Sequence, residues 1–323
     1  MKYDRVYNFS AGPSILPVEV LESVRDNLLN YEGSGMCVME MSHRSKVFQQ
    51  IIDEAEQDLR DLMNIPDNYK VMYGKINLVA TSEDRNYSYI PDCSDLPISE
   101  DADYVYICEN ETIHGTTYQT LPNTKGKILV SDQSSMFLSK PCNVSDYGVI
   151  YGGVQKNIGP AGMVIVIMRE DLIREDLPQF VPTYMSYATH ANNGSMYNTP
   201  NCWSIYVCGQ VFKYLKRIGG LEVMAKMNEE KAKILYDFLD ESKMFRGTVE
   251  KEFRSLMNVP FVTASKETDA EVVAATKAAG FDNLKGHKSV GGLRASIYNA
   301  MPKEGVVALV DFLRKYEQEN YKG

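Results

Sequence analysis

Four short apolar runs, each closed by turn-forming residues, narrow the folds open to this chain more than any other feature. They are "YVYIC" (104–108), "KILVSD" (127–132), "GVIYGG" (148–153) and "GMVIVIM" (162–168). Runs of this kind suit the buried strands of an α/β sheet, short helical fragments being the alternative. Helical patterns surround them. "PVEVLESVRDNLLN" (17–30) places Pro17 in a first turn ahead of apolar residues at helical spacing. In "SKVFQQIIDEAEQDLRDLMNI", Val47, Ile51, Ala55, Leu59 and Leu62 form one stripe with acids opposite. Near residue 198, "NTPNCWSIYVCGQVFKYLKRIGG" predicts a helix with Thr199 as N-cap, Pro200 at the first position and Gly219 near its end. Beyond about residue 220 come a charged helix (221–242), a strand "VPFVT", a helix "DAEVVAATKAAG", the segment "GGLRASIYNA" and a last helix. That order predicts a smaller α+β domain.

Composition removes several function classes. At 323 residues and 44% hydrophobic, the chain can bury a large core and is expected to divide in two. A net charge of −9 argues against nucleic acid or an anionic membrane as the main partner. The longest apolar run, Met163 to Met168, is far too short to span a bilayer, and the start "MKYDRVYNFSAGPS" has no apolar signal region. The cysteines at 37, 93, 108, 142, 202 and 208 have neither CxxC pairing nor zinc-type spacing, so they are expected as free thiols of a cytoplasmic protein.

Four places could carry chemistry. In "YGGVQKNIGPAG" (151–162), Lys156 stands between two apolar runs among small residues. A lysine there either snorkels to water or serves as a Schiff-base amine whose pKa is lowered by desolvation. Asp132 closes "KILVSD", at the strand end where ligands of open α/β sheets collect. It either caps a turn or pairs with a cationic ring nitrogen, as a carboxylate does on the pyridinium of pyridoxal phosphate. His43 and Arg44 in "EMSHRSK" are surface decoration or an anion grip. In "GHKSVGGLRASIYNAMP", His287, Lys288 and Arg294 lie about two adjacent glycines, which suits an anion pocket. Arg294 falls within an apolar run and needs an anionic partner, from protein or substrate.

Taken together these segments resemble the phosphoserine aminotransferases, pyridoxal-phosphate enzymes of fold type I. The matching pieces are "YNFSAGPSILP", "MEMSHRS", "ENETIHG", "VSDQSSMFLSKP", "YGVIYGGVQKNIGPAGMVIVIMRED", "NTPNCWSIY" and "GHKSVGGLRASIYNAMP", in family order across nearly the whole chain. The resemblance implies a large cofactor-binding domain of residues 16–220 on a mostly parallel sheet. Residues 1–15 and 221–323 would form the small domain. It implies that Lys156 holds pyridoxal 5'-phosphate covalently and moves the proton, with Asp132 on the pyridinium nitrogen. Thr112 would contact the cofactor, and Gln155 would reach its phosphate. Asn198 and Thr199 would reach that phosphate from the other subunit of a homodimer. Arg294 would grip the substrate α-carboxylate, and His43, Arg44, His287 and Lys288 the distal phosphate or carboxylate. Lysine at 288 stands where the family pattern has arginine and offers a point charge instead of a fork. The implied reaction passes the amino group of L-glutamate to 3-phosphohydroxypyruvate, giving O-phospho-L-serine and 2-oxoglutarate. A phosphorylated hydroxythreonine precursor of pyridoxal phosphate is a second implied substrate.

One stretch departs from the pattern. The family's glycine-rich phosphate loop and its stacking tryptophan have no counterpart, and the only tryptophan is Trp203. The match runs to "NYKVM" (68–72) and resumes at "YGKINLVA" (73–80). Three residues between "VM" and "INLVA" are too few for a parallel crossover, which takes about 10–12. Met72 and Tyr73 are therefore expected to flank an absent segment and not to be true neighbours. An active enzyme is the favoured reading, because Lys156, Asp132 and Arg294 are all retained. An inactive dimeric homologue and another enzyme of the fold, such as a cysteine desulfurase, are the rivals.

Overall fold

The computed structural model describes residues 22, 25, 26, 29–36, 45–47, 50, 78–177 and 181–322. The helices expected over 17–30 and 45–65, the pair His43 and Arg44, and the Met72–Tyr73 junction fall largely or wholly outside them. Residues 78–323 form one compact unit and residues 1–77 another.

All four apolar runs are strands. β1 (Tyr104–Cys108), β2 (Ile128–Asp132), β3 (Val149–Gly153) and β4 (Val164–Met168) form one sheet in that order. β1, β2 and β3 are parallel, and β4 returns antiparallel along β3. The sheet is thus mostly parallel, as expected of this α/β fold. Period-two burial separates its faces. Val105, Ile107, Leu129 and Ile150 enter a core with Phe137, Tyr147, Val154 and Ile158. Asp132 pairs in register with Cys108 on one side and Tyr151 on the other. This brings the carboxyl ends of three strands together, where the loops after β1, β2 and β3 deliver the candidate residues.

Helix α1 (Tyr187–Asn192) is short, and helix α2 (Cys202–Arg217) begins later than its sequence suggests. Its cap is Asn201, whose side chain accepts the backbone N–H of Ser204 at 3.1 Å. Thr199 is not the cap and Pro200 is not the first helical residue. The Cys202 N–H instead turns back to the Pro200 carbonyl at 2.8 Å, leaving both residues in the approach. Gly219, at φ +111°, follows the helix as expected.

The remaining chain is α+β. Helices α3 (Leu221–Glu241), α4 (Lys266–Ala278) and α5 (Lys303–Asn320) accompany a sheet of β5 (Arg246–Gly247), β6 (Asn258–Val262) and β7 (Leu293–Ser296), paired antiparallel in that order. Its core is apolar: Leu235, Phe238, Phe245, Phe261, Leu293, Val306 and Leu313 are all buried. Among the described residues no helix is long and apolar enough to cross a membrane.

Candidate active site

The loop after β1 is where the two sheets meet. Its polar run, Glu109 to Thr112, turns at Gly115, which has φ +77°. A Cβ on Gly115 would lie 2.3 Å from Pro260 Cδ and 2.7 Å from the Asn258 carbonyl, so only glycine lets this loop lie against β6. Asn110 secures the same junction. Its amide donates to Ser135 Oγ at 2.8 Å and Asn258 Oδ1 at 3.0 Å, and its Oδ1 accepts from Ser255 Oγ at 2.6 Å. Glu111 shapes the turn itself, since its Oε2 accepts the N–H groups of Ile113 at 2.8 Å and His114 at 2.6 Å, with His114 Nδ1 at 3.1 Å. Burial alone would raise the Glu111 carboxyl; the bonds from His114 and Ile113 outweigh it and hold it below the usual range.

Thr112 is thereby presented to two cations. Lys156 Nζ donates to Thr112 Oγ1 at 2.7 Å, and Arg294 Nη1 donates to the Thr112 carbonyl at 3.1 Å. Lys156 arrives from the turn after β3, between the buried side chains of Val154 and Ile158. Burial lowers its pKa; Asp132 and Glu111 act in the opposite sense, and Arg294 lowers it further. The amine therefore loses its proton more readily than an exposed lysine while keeping carboxylates near. Asp132, half-buried at the end of β2, is fixed by the Ser134 N–H, which donates to its Oδ1 at 2.8 Å. The neighbouring Cys108 thiol is pushed up to about 12, chiefly by burial, so it stays protonated and is a poor nucleophile.

The loop behind Lys156 is also pinned. Asn157 Oδ1 accepts the Asn299 N–H at 3.0 Å, and the Asn299 amide donates to the Leu138 carbonyl at 3.0 Å. Asn228 on α3 donates to Asn299 Oδ1 at 2.9 Å. Next to it, Lys231 Nζ donates to the carbonyls of Ile297, Tyr298, Asn299 and Met301 at 2.8–3.3 Å.

Lys156 and Arg294 therefore meet at Thr112, with Asp132 near enough to act on the lysine. Gln155 is exposed beside Gly153, where an added Cβ would come within 2.6 Å of its Oε1. Asn198 and Thr199 are exposed ahead of α2, away from any contact with Lys156, Asp132, Thr112 or Arg294 that the structure displays. His287 Nδ1 pairs with Ser289 Oγ at 2.6 Å and Lys288 is exposed, both on the loop that leads into β7. Glu109, Asn110, Glu111, Asn157 and Asn258 were not singled out from sequence. For the first three the signal was a run of four polar residues directly after an apolar strand.

Residues 6–87 and 74–309 match the family described as Aminotransferase class-V. A phosphoserine aminotransferase from Ralstonia nicotianae is 44% identical over 363 residues, covering 97% of this chain and 96% of that protein. The aligned span exceeds the 323 residues here, so the relative carries additional internal residues. The family match also divides near residues 74–87, beside the break in the sequence pattern. Among solved structures, the phosphoserine aminotransferase of Bacillus circulans subsp. alkalophilus superposes with a TM-score of 0.73 at 37% identity, covering 98% of this chain and 99% of that one. The PLP-bound phosphoserine aminotransferase of Trichomonas vaginalis gives 0.70 at 35% identity, covering 96% and 100%. With the site geometry and these likenesses in agreement, the chain belongs to the class-V aminotransferases and, within them, groups with the phosphoserine aminotransferases.

Proposed function

We propose that this protein transfers the amino group of L-glutamate to 3-phosphohydroxypyruvate with pyridoxal 5'-phosphate as cofactor, yielding O-phospho-L-serine and 2-oxoglutarate. The observation that carries the reading is the meeting of a desolvated lysine with Thr112 at 2.7 Å, with Asp132 and Arg294 close enough to shift its proton affinity. The donor set fits the cofactor: an amine with lowered proton affinity, a carboxylate at a strand end and an arginine held at the mouth. When bound, pyridoxal phosphate supplies an electrophilic carbonyl carbon for amines and a ring that accepts electrons from a carbanion.

The chain's own groups have separate tasks. Lys156 Nζ would hold the cofactor covalently and would take the proton from the substrate α-carbon. Its lowered pKa keeps the free amine available for that transfer. Asp132 would hold the positive charge of the ring nitrogen, and Thr112, which accepts the Lys156 amine, would contact the cofactor. Gln155 binds the cofactor phosphate, joined by Asn198 and Thr199 of a second copy; their exposure in the single chain leaves them available for that role. Arg294 grips the α-carboxylate common to both amino acids, through two parallel donors. His43, Arg44, His287 and Lys288 receive the distal phosphate or carboxylate. In this reading residues 16–220 make up the cofactor-binding domain, and residues 1–15 and 221–323 the small domain. The phosphorylated hydroxythreonine precursor is the second substrate of the same pocket.

The test is the formation of 2-oxoglutarate from glutamate and 3-phosphohydroxypyruvate by the parent protein and by Lys156→Ala. The parent should turn over and the variant should not, while both unfold at similar temperatures. Full activity in Lys156→Ala removes the lysine assignment. A parent that binds the cofactor but never transaminates removes the reading as a whole.

A further inference from the structure

Glu109, the first residue beyond β1, is a carboxylate only 3% exposed and absent from the chemistry above. It continues the buried face of β1, after Val105 and Ile107, so it lies on the side of the sheet opposite Cys108 and Asp132. One oxygen, Oε2, collects three hydrogen bonds: from Ser131 Oγ at 3.0 Å, Gln133 Nε2 at 2.8 Å and Tyr147 OH at 3.0 Å. All three donors are buried. Ser131 and Gln133 are the two residues on either side of Asp132. The backbone repeats the grip, since the Glu109 N–H donates to the Asp132 carbonyl at 3.1 Å and the Gln133 N–H to Tyr151 at 2.8 Å.

A buried carboxylate is unfavourable unless donors replace its water, and charge-assisted bonds of this kind are the strong ones. Packing alone would be served by an apolar residue in line with Val105 and Ile107. What the carboxylate adds is a fixed point tying the ends of β1 and β2 to Tyr147, just ahead of β3, from behind Asp132.

We propose that Glu109 is a positioning residue that sets the place of the Asp132 carboxylate by holding both of its chain neighbours from the far face of the sheet. The proposal rests on the assignment of Asp132 to the cofactor ring nitrogen. If the clamp loosens, Asp132 drifts from that nitrogen and the ring loses its proton more easily. The nitrogen of the lysine linkage, no longer facing a positive ring, then keeps its own proton to higher pH.

The experiment compares the parent, Glu109→Gln, Glu109→Ala and Tyr147→Phe, each loaded with pyridoxal phosphate. It follows the visible absorbance of the bound cofactor against pH, the cofactor dissociation constant and the unfolding temperature. Glu109→Ala should raise the titration midpoint by about half a unit or more and weaken the cofactor about tenfold. Glu109→Gln, which keeps an acceptor oxygen, and Tyr147→Phe, which removes one donor, should shift the midpoint in the same direction by less. A parent-like midpoint with a dissociation constant within about twofold, even alongside a lower unfolding temperature, would leave Glu109 a purely structural residue and overturn the proposal. Should Glu109→Ala fail to fold, unshifted midpoints in the other two variants overturn it equally. A parent that takes up no pyridoxal phosphate overturns both this proposal and the functional reading beneath it, which separates the two failures.

Discussion

Lys156 sits between opposing influences: burial and Arg294 push its proton off, while Asp132 and Glu111 hold it on. Changing one neighbour should therefore move the amine in a foreseeable direction. Arg294→Ala removes a nearby positive charge, so the Lys156 pKa should rise. Amine labelling of the cofactor-free protein, read at Lys156 against pH, should show its onset moving to more alkaline pH. The same substitution should lower kcat/KM for glutamate and for phosphoserine alike, by roughly ten- to a hundredfold, because a charged hydrogen bond contributes about 1.5–3 kcal/mol. His287→Ala should spare the α-carboxylate contact and act through the distal group. Unchanged kcat/KM for both amino acids in Arg294→Ala would refute the carboxylate role.

At the scale of elements, the cap of α2 separates stability from function. Asn201→Ala removes the bond to the Ser204 N–H and should cost about 1 kcal/mol, seen as a lower denaturant midpoint with unchanged slope. Thr199→Ala should leave that midpoint alone and, on the functional reading, weaken the cofactor. The four strands of the large sheet were legible because their apolar runs are closed by residues that break the pattern. The cap was misplaced for a local reason: a threonine followed by proline imitates a helix start, yet the Asn201 side chain reaches the free N–H first. The polar run after β1 was illegible in another way. From sequence a glutamate beyond a strand reads as solvent-facing loop; only the arrival of Ser131, Gln133 and Tyr147 from distant positions shows it buried. Lys231 was hidden within a charged helix, although it shares a stripe with Asn228 and Leu235 that faces the core.

Across the whole molecule, the same Lys231 links stability to pH. Burial lowers its pKa to about 8 from the ordinary 10.5, and below that value the ammonium is held by four carbonyls. Between about 8 and 10.5 the unfolded chain binds the proton and the folded one does not. The contribution of this group to stability thus rises with pH through that window, and below it the buried charge costs its full amount. Lys231→Met should unfold more easily at neutral pH, since it strips the buried carbonyls of Ile297 and Asn299 of their Nζ donor, at about 1–3 kcal/mol each. The variant should also lack the parent's gain on going from pH about 7 to about 10, measured as the change in urea midpoint. A parallel rise in both proteins would place the titration elsewhere.

The single tryptophan turns α2 into an optical probe. Trp203 is 67% exposed, one turn beyond the Asn198–Thr199 approach, on a helix whose Ile205 and Tyr206 also face outward. All indole emission from this protein therefore originates at one surface point, far to the red and open to iodide quenching while that point is wet. If Asn198 and Thr199 serve a second copy, concentrating the protein should shift the emission to the blue and shield it from iodide, without any label. Emission that stays red and fully quenchable at every concentration would mean that this face never meets a partner.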